Sequence, residues 1–314
     1  MTISKDLINS FAHATERGAY GASLFIGKND KIGADRSAVN EMRETLNKIN
    51  MKGKIVIGEG ELDEAPMLYI NEKVGTNSGE ELDIAVDPLE GTNFTAKNLP
   101  NAMSVLAVAK KGNILNAPDM YMEKIAIGSN LPKNLIDLDF SIEKNIKLLS
   151  EASSKKTNLL TACVLDRPRH NEIIKSLKNL GVNISFISDG DVSGVISVCN
   201  PKSKIDIYIG TGGAPEGVLA AAALHCLGGQ MQTRLKFQSD NEKNRAKKFG
   251  ISDFNKKYNL NDMIKDDVIF SATGVTDGNF FKGIRNYKDY FSSETLVLHK
   301  SSNTNKILKN KITK

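Results

Sequence analysis

The spacing of apolar residues along this chain predicts a mixture of helices and strands. Val39, Met42, Leu46 and Ile49 recur at helical spacing, and Asp35 stands ahead of them, where it could serve as the N-cap. A further helix is predicted at the start of the chain. Short, nearly continuous apolar runs predict buried strands near 54–58 and 82–87, followed by a meander through 102–109, 114–117 and 124–128.

The second half of the chain has a regular alternation of apolar runs and helical patterns. Strands are predicted at 159–165, 184–187 and 205–209, each followed by a helix. This order is typical of an α/β fold. A polar stretch at 150–157 predicts the lobe boundary, so we expect an N-terminal lobe at 1–155 and a C-terminal α/β lobe at 156–314.

Two carboxylates and a hydroxyl follow the predicted strand at 82–87. We expect this strand to end at Asp87, because Pro88 cannot continue a ladder and Gly91 permits a backbone course closed to other residues. Glu90 and Thr92 would then return beside Asp87 at the end of the strand. Carboxylates this close favour a hard divalent cation, which indicates metal-assisted phosphoryl transfer. A solvated polar turn is the alternative.

A second acidic group follows the strand near 54–58. Glu59 lies between two glycines, so its carboxylate can approach a site with little obstruction, and we interpret it as a metal ligand. Glu61, Asp63 and Glu64 are interpreted as a solvated loop, which is the usual setting of a run of charges.

A glycine-rich turn joins the strand at 205–209 to an alanine-rich helix predicted from Pro215 to Leu227. Backbone N–H groups of such turns can bind phosphate, whereas Glu216 could simply favour the first turn of its helix. Arg167 and Arg169 flank Pro168 after another strand, where a rigid turn could present both guanidinium groups to a phosphate. The segment Asp189, Gly190 and Asp191 could cap a helix or accept hydrogen bonds from sugar hydroxyls.

These motifs resemble the class II fructose-1,6-bisphosphatases, the bacterial branch of the lithium-sensitive, metal-dependent sugar and inositol phosphatases. The matching segments, in the expected order, are 33–35, 55–61, 63–70, 83–92, 116–124, 167–170, 189–191 and 212–217. The resemblance implies a layered α/β/α/β/α sandwich of two lobes with the active site between them. It also implies Mn²⁺ or Mg²⁺ as the cofactor.

The resemblance implies the following roles position by position. Asp35 and Glu59 would bind one metal, and Asp87, Glu90 and Glu216 a second. Thr92 and Glu59 would orient the attacking water. Substrate contacts would come from Glu90, Gly91, Thr92, Tyr121, Arg167, Pro168, Arg169, Asp189, Gly190, Asp191 and Gly213. Arg167 departs from the lysine of many relatives, and this change could tune sugar preference because a guanidinium is a planar fork and an ammonium a point charge.

The activity implied is hydrolysis of the 1-phosphate of fructose 1,6-bisphosphate, a step of gluconeogenesis. Three alternatives stay open from the sequence. These are a dual fructose-1,6- and sedoheptulose-1,7-bisphosphatase, an inositol or nucleotide phosphatase, and a non-catalytic sugar-phosphate sensor.

Composition agrees with a globular enzyme. The chain has 314 residues, 40% of them hydrophobic, and a formal net charge of +5. The lysine-rich segment 303–314 is interpreted as a solvated tail, so we expect no nucleic-acid partner. Three widely spaced cysteines predict buried thiols in a reducing compartment, and no membrane-spanning or secretory segment is predicted. We therefore expect a cytoplasmic protein. We also expect a homo-oligomer, a dimer or tetramer, and structural roles for His170, His225 and His299.

Overall fold

The computed structural model describes residues 2–58 and 68–314. Its α-helices are α1 (Leu7–Ser23), α2 (Lys31–Leu46), α3 (Thr92–Ala96), α4 (Ile142–Ser153), α5 (Asn171–Asn179), α6 (Asp191–Ile196), α7 (Ala214–Leu227), α8 (Asp240–Lys248) and α9 (Leu260–Met263). Its strands are β1 (Met51–Ile57), β2 (Lys73–Val74), β3 (Glu80–Glu90), β4 (Met103–Lys110), β5 (Tyr121–Ile127), β6 (Thr161–Leu165), β7 (Asn183–Ile187), β8 (Ile207–Gly213), β9 (Gln230–Lys236), β10 (Lys257–Asn259), β11 (Val268–Gly274), β12 (Arg285–Asn286), β13 (Tyr290–His299) and β14 (Thr304–Thr313). Single 3₁₀ turns occupy Thr157–Leu159, Pro168–His170 and Ser197–Cys199.

The chain divides into two compact units, and each contains one sheet with helices. The first unit combines residues 1–116 with 264–314, and the second comprises residues 117–263. This division differs from the boundary expected at 155. The reason is the strand pairing, because β5 precedes that boundary yet pairs with β8 and β9, while β11 and β13 join the sheet of β3 and β4.

The sheet of the first unit has the strand order β12-β13-β11-β4-β3-β1-β2, with β14 paired to β13. β1 and β3 run parallel, so their carboxyl ends lie at the same edge, and β4 is antiparallel to β3. The apolar faces of α1 and α2 cover this sheet with Phe11, Met42 and Leu46, which are fully buried against Ile55, Ile84 and other strand residues. Each helix thus removes one apolar face from water. This burial is the main favourable contribution to the free energy of folding.

A buried polar network ties α1 to the C-terminal strands. Glu16 is 2% exposed, and its Oε1 accepts hydrogen bonds from Ser293 Oγ at 3.0 Å, Thr295 Oγ1 at 3.3 Å and Asn310 Nδ2 at 2.8 Å. His13 Nδ1 lies 3.5 Å from the other carboxylate oxygen. These donors satisfy a carboxylate that burial would otherwise destabilise.

The sheet of the second unit has the order β10-β9-β5-β8-β6-β7. β5 is antiparallel to both of its neighbours, and β6 is parallel to both β7 and β8. Ile146 and Leu149 of α4 and Leu177 of α5 pack in one apolar cluster with Val164 and Ile209 of the strands. The α/β class predicted from the sequence is therefore confirmed in both units.

Several local predictions are wrong in informative ways. Helix α2 begins at Lys31, and Asp30 caps it by accepting a hydrogen bond from Gly33 N–H at 2.8 Å, so Asp35 lies inside the helix and is not its N-cap. Residues 114–117 form no strand, only an isolated bridge between Ile114 and Ile264. The lysine-rich segment interpreted as a solvated tail contains β14, which pairs with β13 along its whole length.

No helix within the described ranges is both long and apolar enough to cross a bilayer. The cysteines form no disulfide among the described residues, and their burial differs. Cys163 is buried as predicted, whereas Cys199 and Cys226 are only partly buried. Burial raises the pKa of Cys163 to about 12, with Asp191 adding to the effect, and raises the pKa of Cys199 to about 11. These thiols are therefore protonated at neutral pH.

We expect Glu16→Ala to lower the free energy of unfolding by about 2 kcal/mol, because Ser293 and Asn310 would lose their buried acceptor. Urea unfolding followed by circular dichroism measures the change. The matched control is Glu44→Ala, which removes an exposed glutamate of α2 and should stay within about 0.5 kcal/mol of the parent protein. Equal effects of the two substitutions would contradict the stabilising role of the network.

Candidate active site

The first group of predicted site residues lies at the end of β3 and in the turn that follows it. β3 continues through Pro88 to Glu90, so the prediction that the strand ends at Asp87 is wrong. Pairing with β4 becomes irregular between Asp87 and Glu90, because proline has no N–H to donate to the ladder. Asp87 is partly exposed, whereas Glu90 is only 5% exposed. The irregularity therefore presents two carboxylates at one strand end.

Gly91 is required at the turn between β3 and α3. Its φ of +84° lies in the left-handed region, and a Cβ there would come within 2.7 Å of the Phe94 ring. The turn places Thr92 at the first position of α3, where it stays partly exposed, while Phe94 and Thr95 are buried beneath it. The hydroxyl of Thr92 is thus held on a turn that only glycine can make without strain.

Helix α2 carries Asp35 and packs against both β3 and α3. Ala34, the residue before Asp35, belongs to one buried cluster with Leu89 and Phe94, which flank the carboxylate motif on either side of Gly91. Asp35 is partly exposed on this helix. The apolar contacts therefore fix the segment carrying Asp35 against the turn that carries Glu90 and Thr92.

Glu59 lies outside the described residues, together with Glu61, Asp63 and Glu64. Within residues 2–58 and 68–314, no group of three or more His, Cys, Asp or Glu side chains is arranged to hold a metal ion. The predicted ligand set includes Glu59, so it stays a prediction. Of its other members, Asp35, Asp87 and Glu90 belong to the first unit and Glu216 to the second.

The second group of predicted residues surrounds a buried lysine for which the sequence predicted no role. Lys124 of β5 is fully buried, and its Nζ lies 2.5 Å from Asp191 Oδ2 at the start of α6. Tyr208 of β8 donates to the same carboxylate oxygen at 3.3 Å. The other oxygen, Asp191 Oδ1, is buried without a hydrogen bond from the described residues. Asp191 is thus held on one oxygen and can accept hydrogen bonds on the other.

β8 continues through Gly212 and Gly213, so the segment predicted as a glycine-rich turn is the end of the strand, and its glycines let two carboxylates approach the backbone. A Cβ at Gly212 would collide with Asp191 Oδ2 and lie 3.1 Å from Lys124 Nζ. A Cβ at Gly213 would collide with the carboxylate of Glu216, the third residue of α7. Each of these glycines therefore makes room for a specific predicted site residue, in addition to any role in binding phosphate.

Two arginines follow β6, on either side of Pro168, as the sequence analysis expected. Arg169 donates from Nε and Nη2 to the Thr211 carbonyl oxygen, at 3.0 Å and 2.8 Å, and its guanidinium lies 4.8 Å from the centre of the Tyr121 ring. Arg167 Nη1 donates to the Asp166 carbonyl oxygen at 2.9 Å. Tyr121 is 38% exposed, so this cluster presents a stacked guanidinium and phenol at the surface of the second unit.

His170 connects the turn that carries the arginines to strand β8. Its Nε2 accepts a hydrogen bond from Thr211 N–H at 2.8 Å, so its Nδ1 carries the proton and donates to the Leu165 carbonyl oxygen at 2.7 Å. Arg169, the residue before His170, donates to the carbonyl oxygen of the same Thr211. By binding Thr211, the His170 ring therefore helps to hold both Arg169 and Thr211 in position. The structural role predicted for His170 is thus a positioning role beside the candidate site.

The segment at 189–191 forms the turn into α6. Gly190 has a φ of +72° in the left-handed region, and Ser193 Oγ donates to its carbonyl oxygen at 2.8 Å. Asp189 is partly exposed, whereas Asp191 is 5% exposed. Of the two carboxylates proposed to contact sugar, the structure therefore buries one beside Lys124 and leaves the other near the surface.

Comparison with known proteins covers almost the whole chain. Residues 5–312 match the family model described as "Bacterial fructose-1,6-bisphosphatase, glpX-encoded". The chain belongs to this family. The protein named "Fructose-1,6-bisphosphatase class 2" from Haemophilus influenzae is 44% identical over 96% of this chain and 94% of its own length. "Fructose-1,6-bisphosphatase 1 class 2" from Escherichia coli K12 is 45% identical over 96% and 93%.

This member of the bisphosphatase family aligns only weakly with solved structures. The extragenic suppressor protein suhB from Bartonella henselae aligns with 62% of this chain and 74% of its own, at 13% identity and a TM-score of 0.34. A score this low supports no statement about the fold. The membership of the chain in the bisphosphatase family therefore rests on the sequence match.

Glu216 provides a test of whether these residues fit a divalent cation. Its Oε2 is buried without a hydrogen bond from the described part of the chain. Burial raises the pKa of Glu216 most, the charge of Asp191 raises it further, and Lys124 opposes both effects. A carboxylate destabilised by burial and by a neighbouring carboxylate is one that a bound cation would stabilise. The donor chemistry of Glu216 therefore fits the hard cation inferred from the sequence.

The role of His170 predicts a pH dependence of stability. Burial lowers the pKa of His170 below its ordinary value of about 6.5, and the charges of Arg169 and Arg167 lower it further. The neutral ring therefore contributes its full stability above about pH 6.5, and this contribution is lost as pH falls through the pKa of the folded state.

His170→Ala should lower the free energy of unfolding at pH 8 by about 3 kcal/mol, because two buried backbone groups lose their partner. Below pH 6.5 the difference from the parent protein should shrink. Urea titrations between pH 5 and 8 measure both effects. A difference that is constant across this range would contradict the neutral state assigned to the ring.

Lys124→Met should lower the free energy of unfolding by about 4 kcal/mol, because Asp191 would remain as a buried carboxylate without its cation. The double variant Lys124→Met/Asp191→Asn contains neither charge and should recover much of this loss. Lys257→Met is the control, since it breaks the partly exposed contacts of Lys257 with Asp137 and Asp139 in the same unit and should cost about 1 kcal/mol or less. Additive losses in the double variant would exclude the pairing.

Proposed function

We propose that this chain hydrolyses the 1-phosphate of fructose 1,6-bisphosphate, giving fructose 6-phosphate and phosphate, in gluconeogenesis. The observation that carries the proposal is the family match over residues 5–312, together with relatives of this name at 44% and 45% identity. These relatives align over nearly their full length, so the proposal concerns the whole chain and not a shared segment.

We further propose that the reaction uses Mn²⁺ or Mg²⁺. Asp35 with Glu59, and Asp87 with Glu90 and Glu216, would hold the cations. All are carboxylates, which these hard ions prefer. A bound cation would supply charge stabilisation to the phosphate oxygens and would favour ionisation of water. The buried oxygen of Glu216 and the strand-end position of Asp87 and Glu90 support these assignments.

The chain's own residues would perform the remaining steps. Thr92 Oγ1 and the Glu59 carboxylate would orient the attacking water in line with the phosphorus by hydrogen bonds, and the carboxylate would accept the proton that the water loses. Gly91 keeps this hydroxyl at the turn. Because phosphoryl transfer depends mainly on positioning and charge stabilisation, the fixed geometry of the turn matters more than covalent chemistry.

Substrate binding would involve the second unit. Arg169, with Arg167 and Pro168 in the same turn, would bind the distal phosphate, and a guanidinium can do so with two parallel hydrogen bonds. Tyr121 would contact the sugar beside this guanidinium. Asp189, Gly190 and Asp191 would accept its hydroxyls, and Gly213 would approach the substrate through its backbone, as Glu90, Gly91 and Thr92 would from the first unit.

The cellular setting is also part of the proposal. A cytoplasmic location agrees with cysteines that form no disulfide among the described residues. We also propose that the protein is a homo-oligomer, either a dimer or a tetramer. Its only substrate partner would be a small-molecule sugar bisphosphate.

A phosphate-release assay tests the proposed activity. The purified chain is given fructose 1,6-bisphosphate, fructose 1-phosphate, fructose 6-phosphate or sedoheptulose 1,7-bisphosphate, each with Mg²⁺, with Mn²⁺ and with a chelator. We expect release of one phosphate from fructose 1,6-bisphosphate with metal and none with chelator. Full activity after exhaustive removal of cations would exclude the metal-dependent mechanism, and comparable rates with the sedoheptulose substrate would show dual specificity.

Thr92→Ala should lower kcat by about 100-fold while changing KM by less than about threefold, because the hydroxyl would act on the water in the transition state. Steady-state kinetics with saturating metal measure both constants. Thr92→Ser retains the hydroxyl and is the matched control, for which we expect kcat within about tenfold of the parent enzyme. Unchanged turnover in Thr92→Ala would remove Thr92 from the catalytic role.

A further inference from the structure

The first unit contains a cavity of about 510 Å³ at the amino ends of β1 and β3. This volume is within the range of small-molecule sites. Four lysines and two carboxylates contribute the charged part of its lining: Lys52, Lys54, Lys73, Lys111, Glu81 and Asp83. The cavity therefore has an excess of positive charge, and none of these six residues has a role in the proposed reaction.

Two of the lysines oppose each other directly. Lys54 of β1 and Lys73 of β2 are partners in an antiparallel pair, so their side chains leave the same face of the sheet. Lys52 is two residues before Lys54 and therefore lies on that face as well. Like charges directly opposite each other destabilise a sheet. Glu81 and Asp83 of β3 are the register partners of Lys52 and Lys54 and offset part of this charge, and a bound anion would offset the rest.

The two carboxylates of the cavity are already engaged. Glu81 pairs with Lys111, whose Nζ lies 2.9 Å from its Oε2. Asp83 is 4% exposed, and its Oδ2 accepts a hydrogen bond from Gly112 N–H at 2.6 Å. Burial raises the pKa of Asp83, while Lys54 and Lys111 act in the opposite direction. Neither carboxylate forms an ion pair with Lys52, Lys54 or Lys73 among the described residues.

We propose that this cavity is a second anion site, which binds the phosphate group of a small phosphorylated metabolite between Lys54 and Lys73, with Lys52 beside them. A lysine ammonium is a compact point charge that binds phosphate without a fixed orientation, and a dianion would relieve the repulsion between the opposed pair. The two carboxylates leave a net charge of about +2 in the cavity, which matches a phosphate monoester.

This site is separate from the candidate active site of the same unit. Asp83 and Asp87 are four residues apart on β3, which corresponds to roughly 13 Å along a strand. Lys52 and Lys54 are the second and fourth residues of β1, whereas its carboxyl end at Ile57 pairs with Ala85, two residues before Asp87. Binding to the cavity can therefore be measured independently of the proposed phosphatase activity.

Calorimetric titration of the full chain with inorganic phosphate, in buffer containing a chelator, tests the proposal. The variant Lys54→Gln/Lys73→Gln should lose at least tenfold in phosphate affinity at one site. Lys306→Gln/Lys311→Gln is the matched control, because it removes the same charge from β14 of the same unit, outside the cavity, and should bind phosphate as the parent chain does.

Thermal unfolding provides the second measurement. Without phosphate, Lys54→Gln/Lys73→Gln should melt close to the parent chain, because relief of the repulsion between Lys54 and Lys73 offsets the loss of the Lys54 charge beside Asp83. With phosphate, the melting temperature of the parent chain should rise, and that of this variant should rise less. Sodium chloride at matched ionic strength should not reproduce the rise.

Equal phosphate binding by the parent chain and Lys54→Gln/Lys73→Gln would overturn the proposal, as would a stabilisation that sodium chloride reproduces. If Lys54→Gln/Lys73→Gln does not fold, Lys52→Gln/Lys73→Gln changes two exposed lysines of the same lining and gives the same comparison. Absence of phosphatase activity would contradict the proposed function while leaving these binding results valid, so the two failures are distinguishable.

Discussion

Charged side chains that leave water must find compensating partners, and this requirement organises both units of the structure. In the second unit, the ammonium of Lys124 and the carboxylate of Asp191 are buried together, and Glu216 is close enough for both charges to act on it. Buried charges of this kind are stable only when each has a partner at close range, which requires several strands and turns to meet at one place. β5, the start of α6 and the glycine-rich end of β8 do so here, and in the first unit Glu90 and Glu16 are buried under the same constraint.

The glycines of the candidate site follow from this constraint. Gly212 and Gly213 are needed because carboxylates lie where a Cβ would be, and Gly91 is needed because its φ is positive. A sequence pattern that is usually explained by phosphate binding alone thus has a second cause in this protein. Substitution of Gly212 would displace the Lys124 and Asp191 pair as well as any bound phosphate, so a loss of activity there would not identify which of the two matters.

Signals that are local in sequence predicted much of the structure. The alternation after residue 159 predicted the α/β class. Carboxylates near the ends of apolar runs marked the region of Asp87 and Glu90, although β3 continues to Glu90, and the first turn of α7 at Glu216. The turn with Arg167 and Arg169 was also found in this way. These features depend on neighbours within about ten residues, which a single sequence displays.

Features that depend on distant partners could not be predicted in the same way. Lys124 is buried only because Asp191 comes to it from 67 residues away, and lysine is normally a surface residue. His170 is fixed by Thr211, 41 residues away. The lysines of 303–314 resemble a solvated tail, yet β14 needs only one side of its backbone to pair, and its exposed lysines suit the edge of a sheet.

The discontinuous first unit has a consequence for synthesis on the ribosome. β11 lies between β4 and β13, so the middle of that sheet is incomplete until residues 268–299 have emerged. Ile3 N–H binds Asp267 Oδ2 at 2.7 Å, so even the start of the chain waits for a partner made near the end. The continuous second unit, residues 117–263, can close its contacts first, and β4 must meanwhile remain without its neighbour β11. The apolar edge of β4 thus stays unpaired while residues 117–263 are translated, which is the interval in which we expect nascent chains to be most exposed to aggregation.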